Sequence, residues 1–183
     1  MFAVILDATT GDSELSSALA QKLKHMGVEY TWFRLAEADI KPCRSCSACA
    51  FKSPGVCVQK DDIHDMMRVI APSSLIIMLT PVRFGGYASE LKKVIDRLMV
   101  ICIPEYRMKQ GRLIHPARYG AKTLLAAGIT KGPPDEQTAC FKKLVERNAF
   151  NMQFDYRALC FDEGADFCET WRELRRLVEE VAS

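Results

Sequence analysis

The sequence predicts an α/β protein, a parallel sheet covered by helices on both faces. Strand-length apolar runs alternate with segments whose apolar residues recur at helical spacing, and the most apolar run is uninterrupted. Five predicted strands alternate with five predicted helices, which is typical of a doubly wound sheet. We identify no repeat, linker or low-complexity segment, so residues 1–183 are expected to form a single domain.

Residues 1–73 are predicted to hold two strands and two helices, with a cysteine-rich loop at 41–60. The rest of the chain is predicted to hold three strands and three helices. Ser13 is a predicted N-cap and Gly27 a predicted end of the first helix. The predicted bounds are, for strands, 2–6, 28–35, 74–80, 122–127 and 154–161, and for helices, 13–25, 63–70, 88–100, 135–149 and 167–181.

The third strand is expected at the centre of the sheet. Its residues 75–79 are all apolar, which indicates burial on both faces. In such a sheet ligands bind beyond the carboxyl ends of the strands, where the strand order reverses. The loops after the first four strands are therefore the candidate ligand-binding loops.

The composition excludes several classes of protein. Half of the residues are apolar, a quarter are charged, and the net charge is only +2, which gives no basic surface for nucleic acid. The apolar start is short and is interrupted by Asp7, and no run reaches membrane-spanning length. We therefore expect a cytoplasmic protein without nucleic-acid or membrane partners. In that reducing compartment we expect its cysteines to be metal ligands or buried thiols rather than disulfides.

Four cysteines form the motif C-x2-C-x2-C-x7-C. Three thiolates at intervals of three can surround one side of an inorganic core, and the turn at Pro54-Gly55 can bring the fourth back. The motif favours an iron–sulfur cluster over zinc, which more often uses two separated C-x2-C pairs. Free thiols or a disulfide are the remaining alternative. The predicted ligands are Cys43, Cys46, Cys49 and Cys57, and the scattered Cys102, Cys140, Cys160 and Cys168 are given no role, with Cys140 and Cys160 expected to be buried.

The loop after the first strand is a candidate phosphate site. Hydroxyls and backbone N–H groups at a helix N-terminus can hold a phosphate, such as that of flavin mononucleotide (FMN). Asp12 and Glu14 place negative charge there, which is expected to weaken the binding. The residues predicted to bind are Thr9, Thr10, Gly11 and Ser13.

The loop after the third strand is a candidate site for a flat ring system. An aromatic residue followed by two glycines offers open backbone, and Phe84 or Tyr87 can stack on a ring. The loop after the fourth strand offers a further backbone surface at Ala127 and Gly128. The predicted residues of the third-strand loop are Thr80, Pro81, Val82, Arg83, Phe84, Gly85 and Gly86.

No catalytic side chain is predicted. The three histidines are isolated and lack ligand spacing, and Asp96-Arg97 at a predicted helix end is expected to make a structural pair.

Residues 42–97 resemble the NAD(P)H-dependent FMN reductase family, and within it the iron–sulfur flavoproteins. The matching features are the cysteine motif, Lys60-Asp61-Asp62-Ile63, Thr80-Pro81-Val82-x-Phe84-Gly85 and Leu91-Lys92-Lys93-Val94-Ile95-Asp96-Arg97. The resemblance implies a flavodoxin-like three-layer sandwich with strand order 2-1-3-4-5, FMN at the strand ends, a [4Fe-4S] cluster on the cysteine loop, and a homodimer or homotetramer.

The predicted function is that of an FMN-dependent oxidoreductase that transfers electrons to a redox partner protein or a small-molecule acceptor. NAD(P)H as reductant stays open, because no G-x-G-x-x-G follows a strand. The alternative is a non-enzymatic scaffold that has lost FMN and uses the cysteine loop for a structural metal or a partner. Phe51, Phe84 and Tyr87 are expected to be exposed and to favour a homo-oligomer.

Overall fold

The computed structural model describes residues 1–11, 13–132 and 135–182. Its eight strands are β1 (Phe2–Asp7), β2 (Glu29–Arg34), β3 (Leu75–Arg83), β4 (Gly86–Tyr87), β5 (Arg107–Lys109), β6 (Arg112–Ile114), β7 (Thr123–Thr130) and β8 (Asp155–Asp162). Its α-helices are α1 (Glu14–His25), α2 (Ala48–Phe51), α3 (Ile63–Ile70), α4 (Ser89–Ile95), α5 (Glu136–Met152) and α6 (Phe167–Ala182). Two 3-10 helices cover Leu35–Glu37 and Leu98–Ile101.

The central sheet is parallel and has the order β2-β1-β3-β7-β8. Counted along the five long strands this is 2-1-3-4-5, so the predicted flavodoxin-like α/β fold is confirmed. The strand order reverses between β1 and β3, so the loops that follow these two strands flank the expected ligand crevice.

Alternating side chains of the strands build two apolar layers, one on each face of the sheet. Val4 and Leu6 pack with helices α3, α4 and α5, whereas Ala3 and Ile5 pack with α1 and α6. Residues 75–80 of β3 are buried on both faces, as its uninterrupted apolar run predicted. Each fully buried aliphatic side chain of this kind stabilises the fold by about 1.5–3 kcal/mol.

The ends of α1 follow the sequence prediction. Ser13 is the N-cap, and its Oγ accepts a hydrogen bond from the backbone N–H of Ser16 at 3.4 Å. Gly27 follows the C-cap with φ +67°, a left-handed conformation that favours glycine.

Two β-hairpins replace segments that were predicted to be loops. β3 runs on to Arg83 and pairs with β4 through Phe84 and Gly85, and β5 pairs with β6 through Gln110 and Gly111. All four of these turn residues have positive φ, the backbone of a two-residue type I′ turn. The second hairpin lies between α4 and β7, in a segment for which sequence analysis predicted no strand.

Two predicted boundaries were also wrong. The helix predicted over 88–100 ends at Ile95, and the chain continues as the 3-10 helix Leu98–Ile101. β7 continues through Gly128 to Thr130, because β3 and β8 pair with it on both sides. Within the described part of the chain, no helix is both long and apolar enough to cross a membrane.

Candidate functional site

The loop after β1 presents its polar groups at the carboxyl edge of the sheet. Thr10 and Gly11 are exposed, and the space around Gly11 is open. Asp12 lies outside the described residues. These groups stand at the N-terminus of α1, where backbone N–H groups and the helix dipole favour an anion. The loop therefore has room for a phosphate group on its exposed side.

A buried carboxylate lies directly behind this loop. Asp7 is only 3% exposed, and its Oδ1 accepts hydrogen bonds from the N–H and the Oγ1 hydroxyl of Thr9 at 2.9 and 2.6 Å. Its Oδ2 accepts a hydrogen bond from Nε1 of Trp32 at 3.2 Å. The Thr9 hydroxyl thus donates its hydrogen bond to Asp7, and a phosphate bound at this loop would lie near the carboxyl groups of Asp7 and Glu14. Sequence analysis missed Asp7, although an acid at a strand end, two residues before a pair of threonines, was a visible signal.

The β3–β4 hairpin holds a single exposed aromatic ring. Phe84 is 98% exposed at the tip, with φ +50°. Tyr87, by contrast, is buried, packs edge-on against Phe141 at 5.7 Å between ring centroids, and accepts a hydrogen bond from Asn148. Burial raises the pKa of Tyr87 to about 12. The prediction that Tyr87 is exposed was wrong, and only Phe84 can stack on a ligand ring here.

Thr80 anchors the base of this hairpin. Its buried hydroxyl accepts a hydrogen bond from the N–H of Ala88 at 3.0 Å, immediately before α4, and lies 3.0 Å from the carbonyl oxygen of Pro81, to which it donates. Val82 is buried, whereas Arg83 is exposed beside Phe84. Pro81 and Gly86 are half-buried. Thr80 therefore fixes the hairpin to α4, and the tip carries the accessible surface.

The backbone surface predicted after the fourth strand, at Ala127 and Gly128, is not a loop, because β7 continues beyond these residues. Ala127 and Gly128 lie inside the sheet, and a Cβ at Gly128 would stand 2.8 Å from side-chain atoms of both Phe141 and Val82. The accessible residue at this end of β7 is instead Lys131, which follows the buried Thr130. Together with the hairpin they line a cavity of about 220 Å³, whose lining residues are Val82, Arg83, Phe84, Thr130, Lys131, Asp135 and Gln137.

The four predicted metal ligands line one cavity of about 330 Å³. Ser45 and Ser47 have left-handed backbone conformations, which curl the loop between the first three cysteines. Gly55 has φ +84° and donates its N–H to the carbonyl oxygen of Cys49 at 3.0 Å, which returns the chain toward Cys57. Local backbone geometry thus brings the cysteines Cys43, Cys46, Cys49 and Cys57 to one cavity.

The donor set of this cavity suits a cationic or cluster ligand. Burial first, and then the neighbouring Cys57 and Cys43, raise the pKa of the Cys49 thiol. Among the described residues, no three Cys, His, Asp or Glu side chains converge closely enough to form a metal-binding group. The cysteines therefore share a cavity without already forming a coordination sphere.

A buried ion pair closes the cysteine loop, and sequence analysis did not predict it. Arg97 pairs with Asp61, and their side chains are only 1% and 0% exposed. Nη2 of Arg97 also lies 3.1 Å from Sγ of Cys57. The structural role expected of Arg97 is present, but its partner is Asp61, since the neighbouring Asp96 pairs with Lys92.

The pair is held in its ionised form. Burial alone would raise the pKa of Asp61, but hydrogen bonds from Arg97 and from the N–H of Lys41 outweigh it and lower that pKa. Burial likewise opposes the charge of Arg97, yet the contacts with Asp61 and Cys57 raise its pKa.

The remaining cysteines lie apart from this cavity. Burial raises the pKa of both Cys102 and Cys160 to about 11, which favours their protonated thiol form. Cys140 was predicted to be buried, but it is exposed on α5, where its side chain stands 2.8 Å from the position that a Cβ at Gly85 would take. Gly85 therefore lets the hairpin approach α5 closely.

The sheet order, the edge loops and the covering helices define a flavodoxin-like α/β protein. The family model described as NADPH-dependent FMN reductase matches residues 11–130, well over half of the chain. The protein belongs to this family, which is a family of flavin-dependent oxidoreductases.

The curated relatives are iron–sulfur flavoproteins. One from Archaeoglobus fulgidus is 32% identical over 125 residues, which cover 63% of this chain and 60% of the relative. One from Methanosarcina thermophila is 25% identical over 96 residues, which cover 52% of this chain and 49% of the relative. The chain thus spans about half of the length of the curated relatives that it matches.

Solved structures share the fold. An FMN-dependent NADH-azoreductase from Bacillus anthracis superposes with a TM-score of 0.69 at 14% identity, covering 99% of this chain and 97% of that one. An NAD(P)H:quinone oxidoreductase from Methanothermobacter marburgensis gives 0.67 at 14% identity, covering 96% of each chain. At these identities the likeness concerns the fold alone.

Proposed function

We propose that the protein is an FMN-dependent oxidoreductase that passes electrons between a flavin at the carboxyl edge of the sheet and an iron–sulfur cluster on the cysteine loop. The observation that carries the proposal is that Cys43, Cys46, Cys49 and Cys57 all line one cavity in a chain of the FMN reductase family. The iron–sulfur flavoprotein names of the curated relatives support it.

Helix α4 links the two proposed sites. Its start is tied to Thr80 at the base of the β3–β4 hairpin, and Arg97 beyond its end contacts Cys57. Seven helical residues span about 10 Å. A cofactor at each end of this helix would therefore lie close to the other, as electron transfer between them requires.

Each group of residues at the two proposed sites has a separate role. The exposed side of the β1 loop would hold the phosphate of FMN, and Phe84 would pack on its ring. The four cysteines would hold a [4Fe-4S] cluster. When bound, the flavin accepts a hydride or two electrons and the cluster passes one electron at a time. The protein itself supplies binding, burial and hydrogen bonds, and no side chain is needed as acid or base.

The donor, the acceptor and the assembly are further parts of this proposal. NAD(P)H is the proposed reductant, and a redox protein or a small molecule the proposed acceptor. A homodimer or homotetramer is supported by the exposed Phe51 and Phe84, since a second subunit would cover the ring of Phe51 and the face of Phe84 that is turned away from the flavin. Tyr87 offers no ring to a second subunit, because it is buried in its own subunit.

Metal analysis tests the cluster. Protein purified without oxygen is expected to contain about four iron and four sulfide per chain. Replacing Cys46 with serine should remove most of both, whereas Cys168→Ser, an exposed cysteine outside the motif, should leave them unchanged. Zinc without acid-labile sulfide in the wild-type protein would contradict the cluster and favour a structural metal.

Flavin titration tests the phosphate loop. FMN is expected to bind more tightly than riboflavin, because helix N–H groups favour the phosphate. Asp12→Asn and Glu14→Gln should each tighten FMN binding several-fold, since a like charge near the phosphate costs on the order of 1 kcal/mol. Riboflavin affinity should not change, and Glu37→Gln, at an exposed acid beyond β2, serves as the control.

The same titration separates the two functions that the sequence left open. Equal affinity for FMN and riboflavin would mean that the phosphate is not seated in the β1 loop. Failure of both flavins to bind would favour the non-enzymatic scaffold, with the cysteine loop as its remaining ligand site.

A further inference from the structure

Arg97 occupies a position from which it contacts both ends of the cysteine loop. Its Nη1 donates to the carbonyl oxygen of Lys41 at 3.1 Å, two residues before Cys43. Its Nη2 lies 3.4 Å from the carbonyl oxygen of Gln59, two residues after Cys57. One guanidinium therefore joins the chain that enters the loop to the chain that leaves it.

Asp61 orients this guanidinium. It accepts a hydrogen bond from Nη1 of Arg97 and, through the same Oδ2 atom, one from the N–H of Lys41 at 2.9 Å. Gln59 adds a direct link between the two ends, from its Nε2 to the carbonyl oxygen of Pro42 at 3.0 Å. The ends of the loop are thus tied by several polar contacts, most of which involve Arg97 or Asp61.

The guanidinium also points at one of the four sulfur atoms. Nη2 of Arg97 is 3.1 Å from Sγ of Cys57, and the Arg97 side chain is almost completely removed from water. Asp61 is bound to the other nitrogen, Nη1, and offsets part of the positive charge, so Nη2 acts on this sulfur mainly through its direct N–H contact, which burial shields from water. Other charged groups at the cavity are Arg44, which is exposed, and Asp96, which is paired with Lys92.

We propose that Arg97 is the positioning residue of the cysteine site, which fixes the two ends of the loop and stabilises added negative charge on the cluster through its N–H contact with Cys57. The second part of this proposal rests on the cluster proposed above. A cluster that accepts one electron gains one negative charge, and a hydrogen bond from a buried cation to its sulfur stabilises that reduced state. Arg97 therefore raises the reduction potential of the cluster.

Arginine suits this position better than lysine. A planar guanidinium presents five N–H donors in a fixed fork, and here two of its nitrogens serve acceptors on both loop ends and on Cys57. A lysine ammonium would keep the positive charge but could not reach these acceptors in the same geometry. Arg97→Lys therefore separates the effect of charge from the effect of shape.

The potential of the cluster tests the electrostatic part. In an EPR-monitored redox titration of the cluster-loaded full chain, Arg97→Gln is expected to lower the midpoint potential, and Arg97→Lys to lower it less. Arg68→Gln, which removes an exposed arginine of α3, should leave it unchanged. A cluster-loaded Arg97→Gln protein with the wild-type potential would overturn the electrostatic role.

Hydrogen exchange tests the loop closure independently of any cluster. In metal-free protein, the amides of residues 41–61 are expected to exchange about tenfold faster or more in Arg97→Gln and Arg97→Lys than in the wild type. Unchanged exchange in both variants would overturn the closure. If wild-type protein binds no iron or sulfide, the cluster proposal has failed, whereas this measurement still decides the role of Arg97 in the loop.

A double variant covers the case in which single variants do not fold. Asp61→Leu with Arg97→Met removes both buried charges and keeps apolar packing, a change that is often tolerated. The cluster of this variant should still have a lower potential than the wild type, because the N–H contact with Cys57 is gone. A wild-type potential in the double variant would overturn the proposal.

Discussion

Replacing Asp61 with alanine is expected to lower the free energy of unfolding by about 3–5 kcal/mol, because it leaves the Arg97 guanidinium buried without a counter-charge. Both side chains are almost fully excluded from water. Asp61 also accepts the N–H of Lys41, so the backbone before Cys43 loses a partner as well. Urea unfolding of metal-free protein measures the change without a contribution from bound ligand.

An exposed ion pair on the adjacent helix provides the control. Asp65 and Arg68 are joined at 2.8 Å, with side chains 79% and 78% exposed. Asp65→Ala should cost no more than about 1 kcal/mol, since exposed pairs contribute little. A similar small loss in Asp61→Ala would mean that water reaches the Arg97 site, which would also remove the basis for its effect on the cluster.

The sheet was predictable because its signals are local. The uninterrupted run at 75–79 requires burial on both faces, and the alternation of strands and helices leaves few ways to connect a parallel sheet. The two hairpins were missed because their turn residues are Phe84-Gly85 and Gln110-Gly111 rather than Asn-Gly or Asp-Gly. Only the glycine in each pair hinted at the left-handed backbone.

The candidate site was predictable in part. The cysteines are close in sequence, so their spacing alone indicated a shared ligand. The contacts of Arg97 with Lys41 and Asp61 join residues 56 and 36 positions apart, and that of Trp32 with Asp7 joins residues 25 apart. Such pairings depend on how the elements pack, which no local pattern records. Tyr87 was misjudged for the same reason, because its buried neighbour Phe141 belongs to a distant helix.

Phe141, beneath the β3–β4 hairpin, is expected to contribute to stability, whereas Phe84, at the tip of the hairpin, is expected to contribute to flavin binding. Phe141 is fully buried on α5, packs against Tyr87 and lies under Gly128. Phe141→Ala would leave a cavity beneath the hairpin, and it should lower the free energy of unfolding by about 3–5 kcal/mol. Phe84, at the exposed tip, should change stability by no more than about 0.5 kcal/mol when replaced by alanine.

Flavin affinity, unlike stability, is expected to depend on Phe84. Loss of ring stacking is worth about 0.5–1.5 kcal/mol, so Phe84→Ala should weaken FMN and riboflavin equally, by about two- to tenfold. Urea unfolding and flavin fluorescence titration on the same preparations measure both quantities. Unchanged flavin affinity in a fully stable Phe84→Ala protein would show that the ring does not pack on the hairpin tip. The cavity beside Thr130 and Lys131 would then be the remaining surface for it at this edge of the sheet.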